Sequence, residues 1–223
     1  IKVVNAAAGT LTLTGAIAAG GANVTVQSEG DLTQNTGGTV AGGTDGSIVL
    51  SAKGVVSLND NVTGTGTGTV SITADSDGNS ASATALNQLA GTISSVGQTI
   101  SLTAGNGATG AGNILLGDIN AGAGAITVIS REGSILQNAA ASDLLTSSNT
   151  ITLTAGSGAG DAVGTDANRI NTAAGTLTSS AGTGGIFISE ANAATLGAIS
   201  TTGAGEIKVV NAAAGTLTLT GAI

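Results

Sequence analysis

The sequence has no Pro, Cys, Met, Trp, Tyr or His, and Phe187 is its one aromatic residue. Without cysteine the chain can form neither a disulfide scaffold nor a thiolate zinc site. Without histidine and cysteine it lacks the usual bases and nucleophiles that work near neutral pH. The 13 carboxylates are scattered mostly over turns, so we predict that the protein is not an enzyme and has no catalytic residues.

Charge is also scarce, at 8% of the residues. Five basic residues are spread along the chain and the net charge is −8, so there is no basic surface for nucleic acid. No apolar run reaches the ~18 residues of a membrane span, and there is neither a starting Met nor a signal peptide. The chain is therefore expected to be an excerpt of a longer protein.

What the chain does contain is a high proportion of Gly, Ala, Ser and Thr together with Ile, Val and Leu. Disorder is a first interpretation of so many small residues. The hydrophobic fraction of 41% and the alternation of aliphatic residues with Thr or Ser are instead typical of β-sheet.

A long repeat is visible at the two ends of the sequence. Residues 1–17, IKVVNAAAGTLTLTGAI, recur without a change at 207–223, an offset of 206 residues. This identity indicates duplication of a 206-residue unit. We therefore predict one full unit over 1–206 and the start of the next over 207–223, with both ends continued by further copies stacked end to end.

A shorter and degenerate repeat divides the unit. An apolar–x–apolar motif recurs with spacings of 23, 24, 22, 30, 26, 25, 26 and 30 residues, and the longest insertion is predicted at 73–91. Its first residues are Ile1, Val24, Ile48, Val70, Ile100, Ile126, Ile151, Leu177 and Ile207. A second segment often follows, at Leu11, Val56, Ile114, Ile135 and Ile186, and then a third, at Ile17, Val40, Val62, Ile93, Ile119, Leu144, Ile170 and Ile199.

Three short strands in about 25 residues form one coil, and stacked coils let each strand pair with its equivalents above and below. The sequence therefore predicts an all-β fold, a parallel β-helix with about eight triangular coils per 206 residues. An antiparallel sandwich is the alternative, although it would need more two-residue turns. Alternation places one column of residues on the outside: Lys2, Thr25, Val49, Ser71, Ser101, Thr127, Thr152, Thr178 and Lys208.

The patterns GTLTLTGAI, GNILLGDINAGAGAITV and GGIFISEANAATLGAIS resemble the stalk repeats of filamentous-haemagglutinin-like adhesins. They also resemble the giant β-strand-repeat surface proteins of Gram-negative bacteria. This resemblance is one of pattern over the whole chain. It implies a right-handed β-helix, secretion to the bacterial cell surface or the extracellular space, and a role in adhesion, biofilm or fibres.

Two acidic turns are candidates for calcium. Asp75, Asp77 and Asn79 place oxygen atoms at alternating positions around Gly78, as at the start of a calcium loop, but no closing Glu follows. The second turn runs from Asp161 to Asn168. Both turns consist of residues that form solvated turns without a metal, so we assign no metal or other cofactor.

Three functions remain open from the sequence. The first is the structural shaft of a secreted fibre or adhesin built from tandem units. The second is a calcium-responsive or ligand-binding surface module. The third, an ice-binding solenoid, follows from the outward column of Thr, which is interrupted by Lys2, Val49, Ser71 and Ser101.

Overall fold

The structure is a computed structural model that describes residues 1–79, 82–107, 112–138 and 144–223. These ranges contain 24 strands and no helix. The first three coils hold β1 (Lys2–Asn5), β2 (Leu11–Leu13), β3 (Ile17–Ala18), β4 (Val24–Ser28), β5 (Leu32–Gln34), β6 (Val40–Ala41), β7 (Ile48–Ala52), β8 (Val56–Asn59) and β9 (Val62–Thr63). The next three hold β10 (Val70–Ala74), β11 (Thr84–Ala90), β12 (Thr92–Ser94), β13 (Ile100–Ala104), β14 (Asn113–Leu116), β15 (Asp118–Gly122), β16 (Ile126–Ser130), β17 (Ile135–Gln137) and the start of β18 (Leu145–Thr154). The remaining strands are β19 (Ala162–Val163), β20 (Ile170–Ala181), β21 (Gly185–Glu190), β22 (Ala194–Thr201), β23 (Ile207–Asn211) and β24 (Leu217–Leu219).

All strand pairs are parallel, and through the first five coils each strand pairs with the strand three places later in the chain. This pattern makes three faces that run the length of the stack. The first face begins with β1, the second with β2 and the third with β3. The predicted parallel solenoid is thus confirmed, with about nine turns in the chain, and the antiparallel sandwich is excluded.

The core is a set of apolar columns inside the coils. On the first face the first residue of each motif from Val24 to Leu177 is at most 1% exposed, and each pairs with the next in register. Two residues on, Leu102 lies between Ile72 and Val128 and is fully buried. Because side chains alternate along a strand, the residues between these columns face out.

Buried glutamines interrupt one apolar column at the end of the second face. Gln34 pairs with Leu13 below and Leu58 above, and Leu58 pairs with Gln88. The Gln34 side-chain amide donates to the carbonyls of Gly38 and, one coil further, Asn61, at 2.9 and 3.1 Å. Gln88 donates likewise to Gly91 and Asp118, at 3.1 and 2.8 Å. Each of these glutamine side chains therefore forms one hydrogen bond within its own coil and one to the next coil.

The coils lie so close at the corners that some positions accept only hydrogen. Gly66 has a φ of +64°, a left-handed conformation that glycine adopts without strain. A Cβ at this position would overlap the carbonyl oxygen of Thr44 in the coil below. Glycine here sets the close approach of two backbones.

The cross-section changes near the end of the described chain. In β21, Gly185 and Ile186 pair with β19 on the second face, while Ile188–Glu190 pairs with the start of β20 on the third. One continuous strand therefore covers the second and third faces, which are formed by separate strands in the coil below. The chain then returns at once to the first face, where β22 pairs with the second half of β20.

This change corrects the prediction for the last short repeat. Leu177 pairs with Leu196, and Ser179 pairs with Ile199, so Ile199 lies on the first face and not on the third. Ile207 pairs with Ile186 on the second face, not with the first-face column. Lys208, which pairs with Phe187, is accordingly wrong as a member of the outward column on the first face. The outward column from Lys2 to Thr178 is confirmed.

The predicted insertion at 73–91 is also not a simple loop. It contains β11, which occupies the second face between β8 and β14. Leu86, in the middle of β11, is fully buried. The sequence pattern missed this strand because its apolar residues are separated by Asn87 and Gln88 instead of by Thr or Ser.

Candidate functional site

The first acidic turn lies at the corner between β10 and β11. Asp75 is fully buried, and its backbone is left-handed with a φ of +48°. Its backbone N–H donates to Gly54 at 2.8 Å, and its carbonyl accepts from Gly78 at 3.0 Å. The Asp77 carboxylate accepts the N–H of Asn79 at 3.2 Å, which is an ordinary Asx turn.

A cation of the protein lies close to this turn. Lys53, on the coil below, forms an ion pair with Glu29, two coils below the turn. The hydrogen bond and the charge of Glu29 raise the pKa of Lys53, and the charge of Asp77 raises it further. Charges of opposite sign thus alternate along this corner of the stack, which leaves less negative potential at Asp77 for an added cation.

The described residues contain no group of three or more Asp, Glu, His or Cys side chains that could hold a metal ion. We therefore expect that millimolar CaCl₂ will leave the thermal unfolding midpoint of the chain unchanged, since only a ligand of the folded state stabilises it by mass action. Differential scanning fluorimetry with CaCl₂, and with MgCl₂ for comparison, measures this. A calcium-specific increase that disappears in Asp77→Ala would instead establish Asp75, Asp77 and Asn79 as a calcium site.

The second acidic turn, from Asp161 to Asn168, is occupied by partners from the protein. The Asp161 carboxylate accepts the N–H of Gly158 at 2.8 Å. Asp166 binds the Arg169 guanidinium at 2.5 Å and the Lys208 ammonium at 2.7 Å. The hydrogen bonds from these two cations lower the pKa of Asp166. Asp166 therefore links the turn to the second copy of the repeated segment.

The first face presents hydroxyl groups along its outer side. Two columns of outward residues lie side by side, and Thr152 and Thr178 share a hydrogen bond of 3.0 Å between their Oγ1 atoms. Val49 interrupts one column and Ile129 the other. A shallow groove of about 180 Å³ lies on this face. It is lined by Thr152, Thr154, Thr178, Ser179, Ser180, Ala198 and Ser200. All of these except Ala198 carry a hydroxyl group, and none has a titratable side chain.

A buried carboxylate at the end of β21 was not predicted from the sequence. Glu190, at the end of β21, is fully buried. Its carboxylate accepts the hydroxyl of Thr172 at 2.7 Å and the N–H groups of Ala174 and Asn192 at 3.0 and 3.3 Å. Burial raises the pKa of Glu190, and these hydrogen bonds partly oppose that increase. Alternation along GIFISE could have indicated the inward position, because Glu190 lies two residues after Ile188.

Glu190 makes stability depend on pH. Its folded-state pKa is above the unfolded value, so its contribution is complete below the unfolded pKa and is lost as pH rises through the folded pKa. We expect Glu190→Gln to lose stability less than the wild type does between pH 4 and pH 7. Urea unfolding of both proteins at the two pH values measures the difference.

Glu190→Ala is the control for the hydrogen bonds. It leaves the buried N–H of Ala174 and the hydroxyl of Thr172 without their acceptor, which costs about 1–3 kcal/mol per group at either pH. Equal pH slopes for the wild type and Glu190→Gln would contradict the role of Glu190 in the pH dependence.

Comparison with protein-family models, with curated proteins and with solved structures finds no match to this chain. None of the described residues belongs to a helix that could cross a bilayer.

Proposed function

We propose that this chain is a segment of a structural shaft, built from tandem 206-residue units, in a secreted bacterial fibre or adhesin. One observation carries the proposal: the second copy of the repeated segment is part of the same stack as the first. β23 pairs with β21 and β24 pairs with β22, so the parallel ladder continues across the boundary between units.

The interior also supports a shaft. The buried apolar residues of the coils form one hydrophobic cluster, and the side chains of Gln34 and Gln88 add hydrogen bonds between coils. The outward side chains of the first face are mostly hydroxylated, and low charge suits a long regular ladder. The extracellular or cell-surface location follows from the resemblance to surface-adhesin stalks. Further copies of the unit, stacked end to end, are the partners proposed here.

The other functions have less support from the geometry. A calcium-responsive module would use Asp77, which lies beside Lys53, or Asp166, which already binds Arg169 and Lys208. An ice-binding surface would need a regular hydroxyl array, and Val49 and Ile129 break it. The calcium titration above tests the first. Thermal hysteresis of the chain in supercooled buffer tests the second, and we expect none.

A shaft must lengthen with the number of units. In the first copy of the repeat the LTL motif forms β2, on the second face of the first coil. In the second copy it forms β24, the tenth strand on the first face, so the two motifs are slightly less than nine coils apart. At about 4.8 Å per coil, each unit adds about 42 Å. Small-angle scattering from chains of one, two and three units should give rods of constant cross-section whose length increases by this step. A globular two-unit chain, or a hinge between units, would contradict the shaft.

A further inference from the structure

The two identical segments occupy different faces of the stack. In the first copy, Leu11–Leu13 forms β2 on the second face, and in the second copy Leu217–Leu219 forms β24 on the first face. Val3–Asn5 lies on the first face, whereas Val209–Asn211 lies on the third, above Ile188–Glu190. The first strand of the second copy thus spans the second and third faces, since Ile207 lies above Ile186 on the second face. Its second strand lies on the first face, and the N–H of Ile199 on that face donates to Ala222, beside the equivalent of Ile17.

The cause of the displacement lies in β21. Because this strand covers the second and third faces without a corner between them, the coil that contains it is shortened. Leu177 pairs with Leu196, which is 19 residues later in the chain. In the coil below, Ile151 pairs with Leu177, which is 26 residues later. The chain thus reaches the repeated segment on the second and third faces and not on the first face.

The second copy lies on a surface with specific contacts. Its backbone continues the ladder on β21 and β22, and Ala212 donates to the Glu190 carbonyl at 2.8 Å. The Lys208 ammonium reaches Asp166 in the loop below at 2.7 Å. We call this surface, formed by Asp166, β21 and the start of β22, the junction surface.

Among the described residues, β1, β2 and β3 each pair with one strand only, on their upper side. Val4 is 51% exposed, while its equivalent Val210 is half-buried on the junction surface. Lys2 is exposed, and the structure gives it no ion pair, whereas its equivalent Lys208 binds Asp166.

We propose that in the tandem array residues 1–17 of each unit lie on the junction surface of the preceding unit, with Lys2 bound to that unit's Asp166. Every unit is then rotated relative to the unit before it, because its first strand lies on that unit's second and third faces and its second strand lies on that unit's first face. This proposal rests on the tandem shaft proposed above. It adds the register of the junction and the rotation, neither of which a shaft as such requires.

Cysteine pairs test the register in the 223-residue chain, which has no cysteine of its own. Thr195 and Thr218 are directly opposite in β22 and β24. Neighbouring strands lie about 4.8 Å apart, within the Cα range of disulfides. We expect Thr195→Cys with Thr218→Cys to form a disulfide under mild oxidation, seen as faster migration on a non-reducing gel.

The matched control tests the alternative register, in which both copies of the repeated segment would lie on the same faces. In that register Lys208 would lie above Thr178, so Thr178→Cys with Lys208→Cys would crosslink. We expect no disulfide from this pair, because Lys208 lies above Phe187. Crosslinking of the control pair, or no crosslinking of Thr195→Cys with Thr218→Cys, would overturn the displacement.

A chain of four tandem units tests the rotation. Gln27 is exposed on the first face, so Gln27→Cys in every unit gives one gold-labelled position per unit for electron microscopy. We expect successive labels on different sides of the rod. Labels along a single side would overturn the rotation and leave the shaft intact, whereas a chain that forms no rod would overturn both proposals.

Discussion

Leu102→Asp is expected to abolish cooperative folding of the middle of the stack. Leu102 is fully buried in the first-face column between Ile72 and Val128. Loss of the side chain alone, as in Leu102→Ala, costs about 2–5 kcal/mol. An aspartate at this position would also bury an unpaired charge, which adds several kcal/mol or forces the site to open.

The fold increases the effect, because each coil is stabilised mainly by its neighbours. A coil that opens at Leu102 removes a neighbour from the coils on both sides. Circular dichroism during urea unfolding should show a large decrease in the midpoint. Ser101→Asp is the matched control: Ser101 is the adjacent outward residue, and we expect its stability to stay close to that of the wild type. Similar midpoints for the two variants would show that the inward and outward assignment is wrong.

Gly66→Ala is expected to have the second-largest effect. Any L-residue at a φ of +64° is strained, and the added Cβ would overlap the Thr44 carbonyl of the coil below. Since both atoms belong to closely paired backbones, the coils themselves must move apart. We expect a loss of about 3 kcal/mol or more.

Gly15→Ala is the control for Gly66→Ala, because a Cβ at Gly15 has no atom within 4 Å and its backbone is not left-handed. We expect this second variant to be neutral or slightly stabilising, since alanine reduces the freedom of the unfolded chain. Thermal unfolding of the two variants measures the contrast. Equal melting temperatures would mean that the coils are not held as closely at this corner as the structure shows.

The parallel stack and most of its core could be predicted from the sequence, because an apolar–x–apolar motif on a strand places both of its apolar residues inside. The motif identifies the strand but not its face. From Ile1 to Leu177 the order of faces is regular, so counting motifs places the first-face column correctly, although it misses β11 on the second face. At Ile186 the order changes, because one strand covers two faces, and a count of motifs then assigns Ile199 and Ile207 to the wrong faces.

Buried polar residues were the other omission. Gln34, Gln88 and Glu190 occupy inward positions that alternation indicates, but their polar side chains do not fit an apolar–x–apolar motif. Their hydrogen bonds depend on which corner carbonyls and N–H groups lie within reach, and only the stacking of one coil on the next determines this. The contact between Asp166 and Lys208 was unpredictable for the same reason, since it depends on the displacement of the second copy.

The direction of the ladder determines how the molecule responds to tension. Hydrogen bonds between parallel strands lie along the stack axis, so a force on the two ends loads the coils one after another and not all at once. The terminal coils open first, because each has a neighbour on one side only. A coil of about 25 residues releases roughly 85 Å of extended chain, compared with a rise of about 4.8 Å in the folded stack. The protein would therefore yield in small steps under load, dissipating mechanical work coil by coil, with extra resistance where Gln34 and Gln88 join neighbouring coils.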